Sequence, residues 1–414
     1  MDIEHPTALL GGLSPAQFMR RHWQKKPLVV RQAIPGMQPI LTRTALFKLA
    51  AQATVESRLI TQRTVGGKNN KKVGITDSLW HMQSGPFVTR ALPPVAQPGW
   101  TLLVQGVDVH DAQVHALLQQ FRFIPDARLD DVMISYASPG GGVGPHFDSY
   151  DVFLLQASGQ RRWKISQQKD LTLQEGIPLK ILKNFEAEAE FVLEAGDMLY
   201  LPPRYAHDGV AVATDDGLGA ADCMTYSIGF RAPARGELAS ELLHRLADFD
   251  ADGDEGEGRA NAKPRPAMAL YRDPRQPATT CPAELPGDLL AFAQKAVADA
   301  LKDPLALACT LGEYLTEPKG SVWFDEIEPD SDWMPTSGCQ LDASTRMMYD
   351  EQHIFINGES HRAKGADAAL MRKLANYRVL TAAELRKASK AAVGLLGEWA
   401  AAGWLRAIPQ GISG

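Results

Sequence analysis

A chain of 414 residues is longer than one ordinary domain requires and suits two or three, each able to bury its own core. Its 45% hydrophobic and 22% charged residues are those of a globular protein, and no run of about 18 apolar residues offers a membrane span. A net charge of −6 argues against a nucleic-acid partner and leaves room for a basic protein partner. Met1 to Gly12 has neither the basic start nor the apolar core of an export signal, so the expected location is the cytoplasm. Cys223, Cys281, Cys309 and Cys339 form no C-x-x-C pair, which suggests neither a zinc site nor a disulfide framework.

In chain order, "SPAQFMRRHWQKKP" reads as a helix with Ser14 as N-cap and Pro15 at the first helical position. Short apolar or alternating runs follow as far as Pro233, among them "PLVVRQA", "WTLLVQGV", "DVMISYASPG", "DVFLLQA", "RRWKIS", "EFVLEAGDMLYLPP" and "MTYSIGFRAP". Gly, Pro and Asp turn signals separate them, the rhythm of an antiparallel barrel or jelly roll. The period then becomes helical in "RGELASELLHRLADF", where Leu238, Leu242, Leu243 and Leu246 share a face, and in "PGDLLAFAQKAVADALKD". Between these helices, Asp248 to Pro286 is acidic and then Pro-rich, which reads as a long connection. From Cys309 the pattern is a helix, a strand "QHIFINGES", two helices and a terminal "WLRAIP" strand, with Thr381 and Glu384 as a capping box. That order fits a small winged-helix-like module. Residues 309–414 hold 14 Asp or Glu against 11 Lys or Arg, a net of −3, so DNA is not the expected partner. The expected division is 1–233, 234–308 and 309–414.

The chemistry is concentrated in "GPHFDSYDVFLLQASGQRRWKI". On a strand, residues i and i+2 face the same way, so His146 and Asp148 enter one space and Phe147 points away. One more histidine completes the facial triad of a non-heme iron(II) oxygenase, with metal positions open for cosubstrate and oxygen. His207 is the candidate. It ends "GDMLYLPPRYAH", close to a cupin motif of Gly196, Pro202 and His207, with Arg204 where that motif usually has glycine. His110 and His115 read as a solvated helix face, and His81, His244, His353 and His361 have no partner at ligand spacing. Arg161, across the "ASGQ" turn, offers a fork of donors for the distal carboxylate of 2-oxoglutarate, and Arg162 points oppositely if the strand is regular.

Together "FMRRHWQKKPLVVRQA", "PGGGVGPHFDSYDVFLLQASGQRRWKI", "GDMLYLPPRYAHDGVA" and "YSIGFRAP" resemble the JmjC-type bacterial ribosomal oxygenases, the ribosomal protein arginine hydroxylases. The resemblance is strong over the N-terminal part and weaker beyond it. It implies an α+β protein: a double-stranded β-helix (cupin/JmjC jelly roll), a helical dimerisation region and a C-terminal winged-helix-like domain. It also implies iron(II), 2-oxoglutarate and O2, and hydroxylation at C3 of an arginine in large-subunit ribosomal protein sixteen. The metal ligands map onto His146, Asp148 and His207, and the cosubstrate anchor onto Arg161. Where many JmjC proteins have an asparagine four residues after the last histidine, this chain has Ala211.

An arginine substrate needs a carboxylate and soft apolar surface. Asp131, Met133 and Ser135 share a strand face, with Ser135 also a cosubstrate contact; Tyr150 and Ser227 are further pocket candidates. Asp131 as the cap of a turn beside Asp130 is the plainer alternative. The acidic stretches Asp248–Glu257 and Asp325–Asp332 suit electrostatic steering of a basic partner. "DFDADGDEGEGR" imitates an EF-hand but places Arg259 where the bidentate glutamate belongs. Rival functions are a JmjC demethylase, a histidyl or asparaginyl hydroxylase, a DNA-binding cupin regulator and a small-molecule cupin enzyme. The leucine-faced helices predict a homodimer.

Overall fold

The structure is a computed structural model that describes residues 2–64, 78–213, 222–251, 271, 285–302, 304–326 and 338–408. It divides into two compact units, residues 1–232 and 233–414.

The first unit opens with α1 (Pro15–Arg21), where Ser14 Oγ accepts the Gln17 N–H and the Gln17 side chain accepts the Ser14 N–H, each at 3.2 Å. The helix ends earlier than its sequence suggests. Gln24 adopts φ 55°, its N–H donates to Tyr200 Oη at 2.8 Å, and Pro27 stops any continuation. Helices α2 (Arg43–Ala50) and α3 (Ala112–Gln119) are capped by Thr42 and Asp111.

Among the described residues, eleven strands form two antiparallel sheets: β1 (Leu28–Val30), β2 (Ser57–Thr64), β3 (Ser78–Ser84), β4 (Trp100–Val104), β5 (Leu129–Ala137), β6 (Val152–Ser158), β7 (Arg161–Ser166), β8 (Ala189–Leu193), β9 (Met198–Leu201), β10 (Ala206–Ala211) and β11 (Cys223–Phe230). The larger sheet runs β1-β9-β6-β11-β5-β4-β2-β3 and the smaller β10-β7-β8. This is the expected double-stranded β-helix. Alternation sorts its faces. On β5, Val132, Ile134 and Tyr136 join the main core with Phe18, Phe153 and Tyr200, whereas Asp131, Met133 and Ser135 face the opposite way. The inward faces of the two sheets meet where Val152, Leu154, Leu199 and Leu201 pack against Trp163, Ile165 and Leu193. Full burial of such a side chain contributes about 1.5–3 kcal/mol, so this layer sets the spacing between the sheets that hold the polar residues.

In the second unit, α4 (Arg235–Ala251), α5 (Gly287–Ala300) and α6 (Pro304–Thr316) precede a module of helices and small sheets, whose strands include β12 (Gly338–Leu341), β13 (Met347–Tyr349) and β16 (Val379–Thr381). On α4, Leu246 is buried, Leu238 and Leu242 are half-buried and Leu243 is exposed. "QHIFINGES" is a hairpin rather than one strand: β14 (His353–Ile356) and β15 (Glu359–Arg362) pair across Asn357 and Gly358, at φ 46° and 91°. Asn-Gly is the strongest short hairpin signal, and here it breaks the run. Three helices follow instead of two: α7 (Gly365–Tyr377), α8 (Ala382–Leu385) and α9 (Lys390–Ala401). Glu384 accepts the Thr381 N–H at 2.9 Å, which starts α8 as its capping box requires. β17 (Leu405–Ala407) closes the module.

Candidate functional site

Residues 138–145 turn the chain from β5 toward the smaller sheet, and Gly144, at φ 79°, lies so close to Trp80 and Ile181 that a Cβ would meet them at 2.8 and 2.6 Å. His146 then forms an isolated antiparallel bridge with His207 of β10. Each N–H donates to the other's carbonyl, at 2.9 and 2.8 Å, and the ring centroids are 4.2 Å apart.

Each imidazole is oriented by a carbonyl: His146 Nδ1 lies 2.8 Å from Gly144 O, and His207 Nδ1 lies 2.9 Å from Tyr205 O. With Nδ1–H donating there, Nε2 keeps the lone pair that a metal requires. Burial, aided by neighbouring His146, pushes His207 down to about 4, so its ring stays neutral across the physiological range. Asp148 Oδ2 is 3.7 Å from His207 Nε2, and the ligand atoms of all three residues lie within 4.8 Å of one another. Adjacent donors on an octahedral ion with bonds of about 2.1 Å sit about 3 Å apart, so a small contraction seats one. Among the described residues, this is the one His/Cys/Asp/Glu group of that kind. Most of the EF-hand-like stretch, from residue 252 on, lies outside them.

Asp148 does not lie on a strand, contrary to the expected i, i+2 relation. Only His146 is bridged, and the chain from Phe147 to Tyr150 is not strand. Asp148 is held instead by its carbonyl, which accepts the Arg204 N–H at 2.7 Å. Arg204 has φ 62°, which explains why glycine usually occupies this motif position. Its guanidinium lies over the Phe147 ring at 5.7 Å.

On β7 the register is Arg161↔Ala211, Trp163↔Gly209 and Ile165↔His207, which places Arg161 inside. Arg162 is 49% exposed and pairs with Glu190 at 3.3 Å. Arg161 is only 3% exposed, and its Nε and Nη2 have no hydrogen-bond partner. Buried donors that the protein leaves unsatisfied suit a carboxylate-bearing ligand. Gly209 leaves room for the Trp163 ring, which a Cβ would meet at 2.5 Å.

Asp131 and Ser135 are buried, Met133 is half-buried, and Ser227 lies opposite Met133 in the β11–β5 pair. Ser135 Oγ donates to Thr225 O at 3.4 Å. Asp131 lies within β5. Gln105 Nε2 reaches both of its carboxylate oxygens at 2.9 Å, and Gln105 Oε1 accepts from Arg58 at 3.2 Å. Tyr150 is 39% exposed; burial of its phenol, then the charges of Asp148 and Asp131, raise it above the usual tyrosine range, and it hydrogen-bonds Asp148. Two residues escaped the sequence reading. Nothing local marks Gln105, whereas Trp163 had a signal, since it shares a strand face with Arg161 two positions away.

Residues 116–238 match the JmjC domain family and residues 299–406 the ROXA-like winged helix family. The ribosomal protein uL16 3-hydroxylase of Escherichia coli (strain K12) is 37% identical over 226 residues, 54% of this chain and 54% of that protein. A probable ribosomal oxygenase of Haemophilus influenzae is 34% identical over 225 residues, 53% of this chain and 50% of that protein. The chain thus spans about half the length of the curated relatives it matches. Among solved structures, YcfD, a ribosomal oxygenase from Escherichia coli in complex with cobalt and 2-oxoglutarate, superposes with a TM-score of 0.72 at 27% identity, covering 95% of this chain and 98% of that one.

Proposed function

We propose that this chain, which belongs to the JmjC-domain proteins and joins that domain to a ROXA-like winged helix, is an iron(II)- and 2-oxoglutarate-dependent oxygenase that hydroxylates C3 of an arginine in ribosomal protein uL16. One observation carries the reading: a buried arginine with two unsatisfied donors shares a barrel with two carbonyl-oriented imidazoles and a carboxylate whose ligand atoms converge. Such a donor set fits iron(II), and the guanidinium fork fits a dicarboxylate. When bound, iron(II) and 2-oxoglutarate supply the oxidising power to convert C–H to C–OH with O2. The chain's own share is positioning: His146, Asp148 and His207 hold the metal, Arg161 and Ser135 orient the cosubstrate, and the apolar layer beneath excludes water.

Asp131 would receive the substrate guanidinium between Met133, Tyr150 and Ser227. Gln105 Nε2 holds both oxygens of that carboxylate and so fixes its orientation. Asp131→Ala is expected to raise the KM for uL16 on the order of a hundredfold while 2-oxoglutarate and metal binding stay unchanged. An unchanged KM removes Asp131 from the pocket. The whole reading is tested by following succinate formation with iron(II) and 2-oxoglutarate, together with mass spectrometry of ribosomal proteins. Added oxygen on histidine or asparagine, or loss of a methyl group from lysine, would replace the arginine assignment.

We also infer a cytoplasmic homodimer, with neither DNA nor membrane as a partner. No helix among the described residues is long and apolar enough to cross a membrane. Helix α5 exposes Leu289, Leu290, Phe292 and Val297, with Leu301 just beyond its end, and a second copy of the same face suits them. Light scattering is expected to give twice the chain mass for the native protein and a monomer for Leu290→Asp/Val297→Asp. A native monomer at micromolar concentration rejects the dimer.

A further inference from the structure

Trp163 has been given no chemical role so far, yet it lies beside both His207 and Arg161. The side chain is 4% exposed, and its Nε1–H has no hydrogen-bond partner. An indole usually finds a partner for that group when buried, and an unmade bond of this kind is costly. The ring touches both halves of the proposed chemistry: its centroid is 5.9 Å from that of His207, and the Arg161 guanidinium carbon lies 5.7 Å from it. Arg161 and Trp163 occupy alternate positions of β7 and so share its inward face. Three buried N–H donors without partners, Nε and Nη2 of Arg161 and Nε1 of Trp163, therefore lie on one side of one strand. The absence of a side chain at Gly209, opposite Trp163, is what lets the ring occupy this place.

We propose that Trp163 is a cosubstrate-binding residue whose indole N–H donates to the same distal carboxylate of 2-oxoglutarate that Arg161 grips. A carboxylate offers about four lone-pair sites; a bidentate arginine fills two, and the indole N–H takes one of the two that remain. The ring also acts on Arg161 directly, since a cation within about 6 Å of an indole centroid is attracted to it, which helps keep the fork in place when the ligand leaves. Trp163 is thus donor and platform at once. This role rests on the oxygenase reading, and the experiment separates the two.

Zinc(II)-loaded full-length protein is titrated with 2-oxoglutarate, with succinate, which retains an equivalent carboxylate, and with oxalate, which has a metal-chelating end alone. Trp163→Phe keeps an aromatic ring and removes the donor. Because a hydrogen bond to a charged group contributes about 1.5–3 kcal/mol, it should weaken 2-oxoglutarate and succinate by roughly tenfold or more and leave oxalate unchanged. One of the indole N–H resonances from the eight tryptophans, identified by its loss in Trp163→Phe, should move downfield when 2-oxoglutarate is added to the native protein. This resonance reports on the donor even if the variant folds poorly. Native protein that binds 2-oxoglutarate with that resonance unmoved overturns the inference, as does a folded variant with native affinity or one equally weakened toward oxalate. Failure of the native protein to bind 2-oxoglutarate at all overturns the oxygenase reading beneath it.

Discussion

Alanine at His146, Asp148 or His207 is expected to abolish hydroxylation while circular dichroism stays native. The three residues come from a loop end, a non-strand segment and β10, and the backbone bridge between residues 146 and 207 does not depend on their side chains. What each substitution removes is a donor atom from a group spanning at most 4.8 Å, and two remaining ligands do not hold an ion in one geometry. Loss of an outer hydrogen-bond partner already costs about 10–100-fold in metal affinity or activity, so loss of a ligand itself should exceed that. Metal content after dialysis should fall with activity in all three variants. Full turnover in any one of them, with iron retained, excludes that residue from the triad.

The second large effect is expected at Arg161. Arg161→Ala should raise the 2-oxoglutarate requirement by about two orders of magnitude or more, because the distal carboxylate then enters a buried space without its cation. Arg161→Lys should fall between alanine and the native residue, since an ammonium supplies charge but not a planar fork. Arg162→Ala should change little: its side chain is about half exposed and meets Glu190 across the sheet, where an ion pair contributes about 0–1 kcal/mol. KM for 2-oxoglutarate, measured at saturating protein substrate, decides among the three. A larger effect at Arg162 than at Arg161 would contradict the inward register of β7.

Much of the site was legible because its signals are local. The i, i+2 relation of His146 and Asp148, the turn before Arg161, the motif ending at His207 and the capping residues Ser14 and Thr381 depend on neighbours in the chain. The i, i+2 relation led to a pair that the structure does bring together, but by an incomplete route. Asp148 reaches the site through the Arg204 N–H, a contact between segments that no strand period contains. The Asn357–Gly358 hairpin was legible too, but a continuous apolar reading of "HIFI" obscured the turn.

By itself, then, the sequence determined the alternation that makes the barrel strands, the identity of the three candidate ligands and the presence of a paired arginine beside them, since strand period and turn chemistry act over a few residues. Only the tertiary structure decided which arginine faces inward, because the pairing of Arg161 with Ala211 selects the face, and a one-residue slip would have exchanged Arg161 with Arg162. It alone brought Gln105 to Asp131 and set Trp163 between Arg161 and His207. Those contacts form across strands that close on one another only when both sheets are assembled, so no window of sequence contains both partners and their geometry.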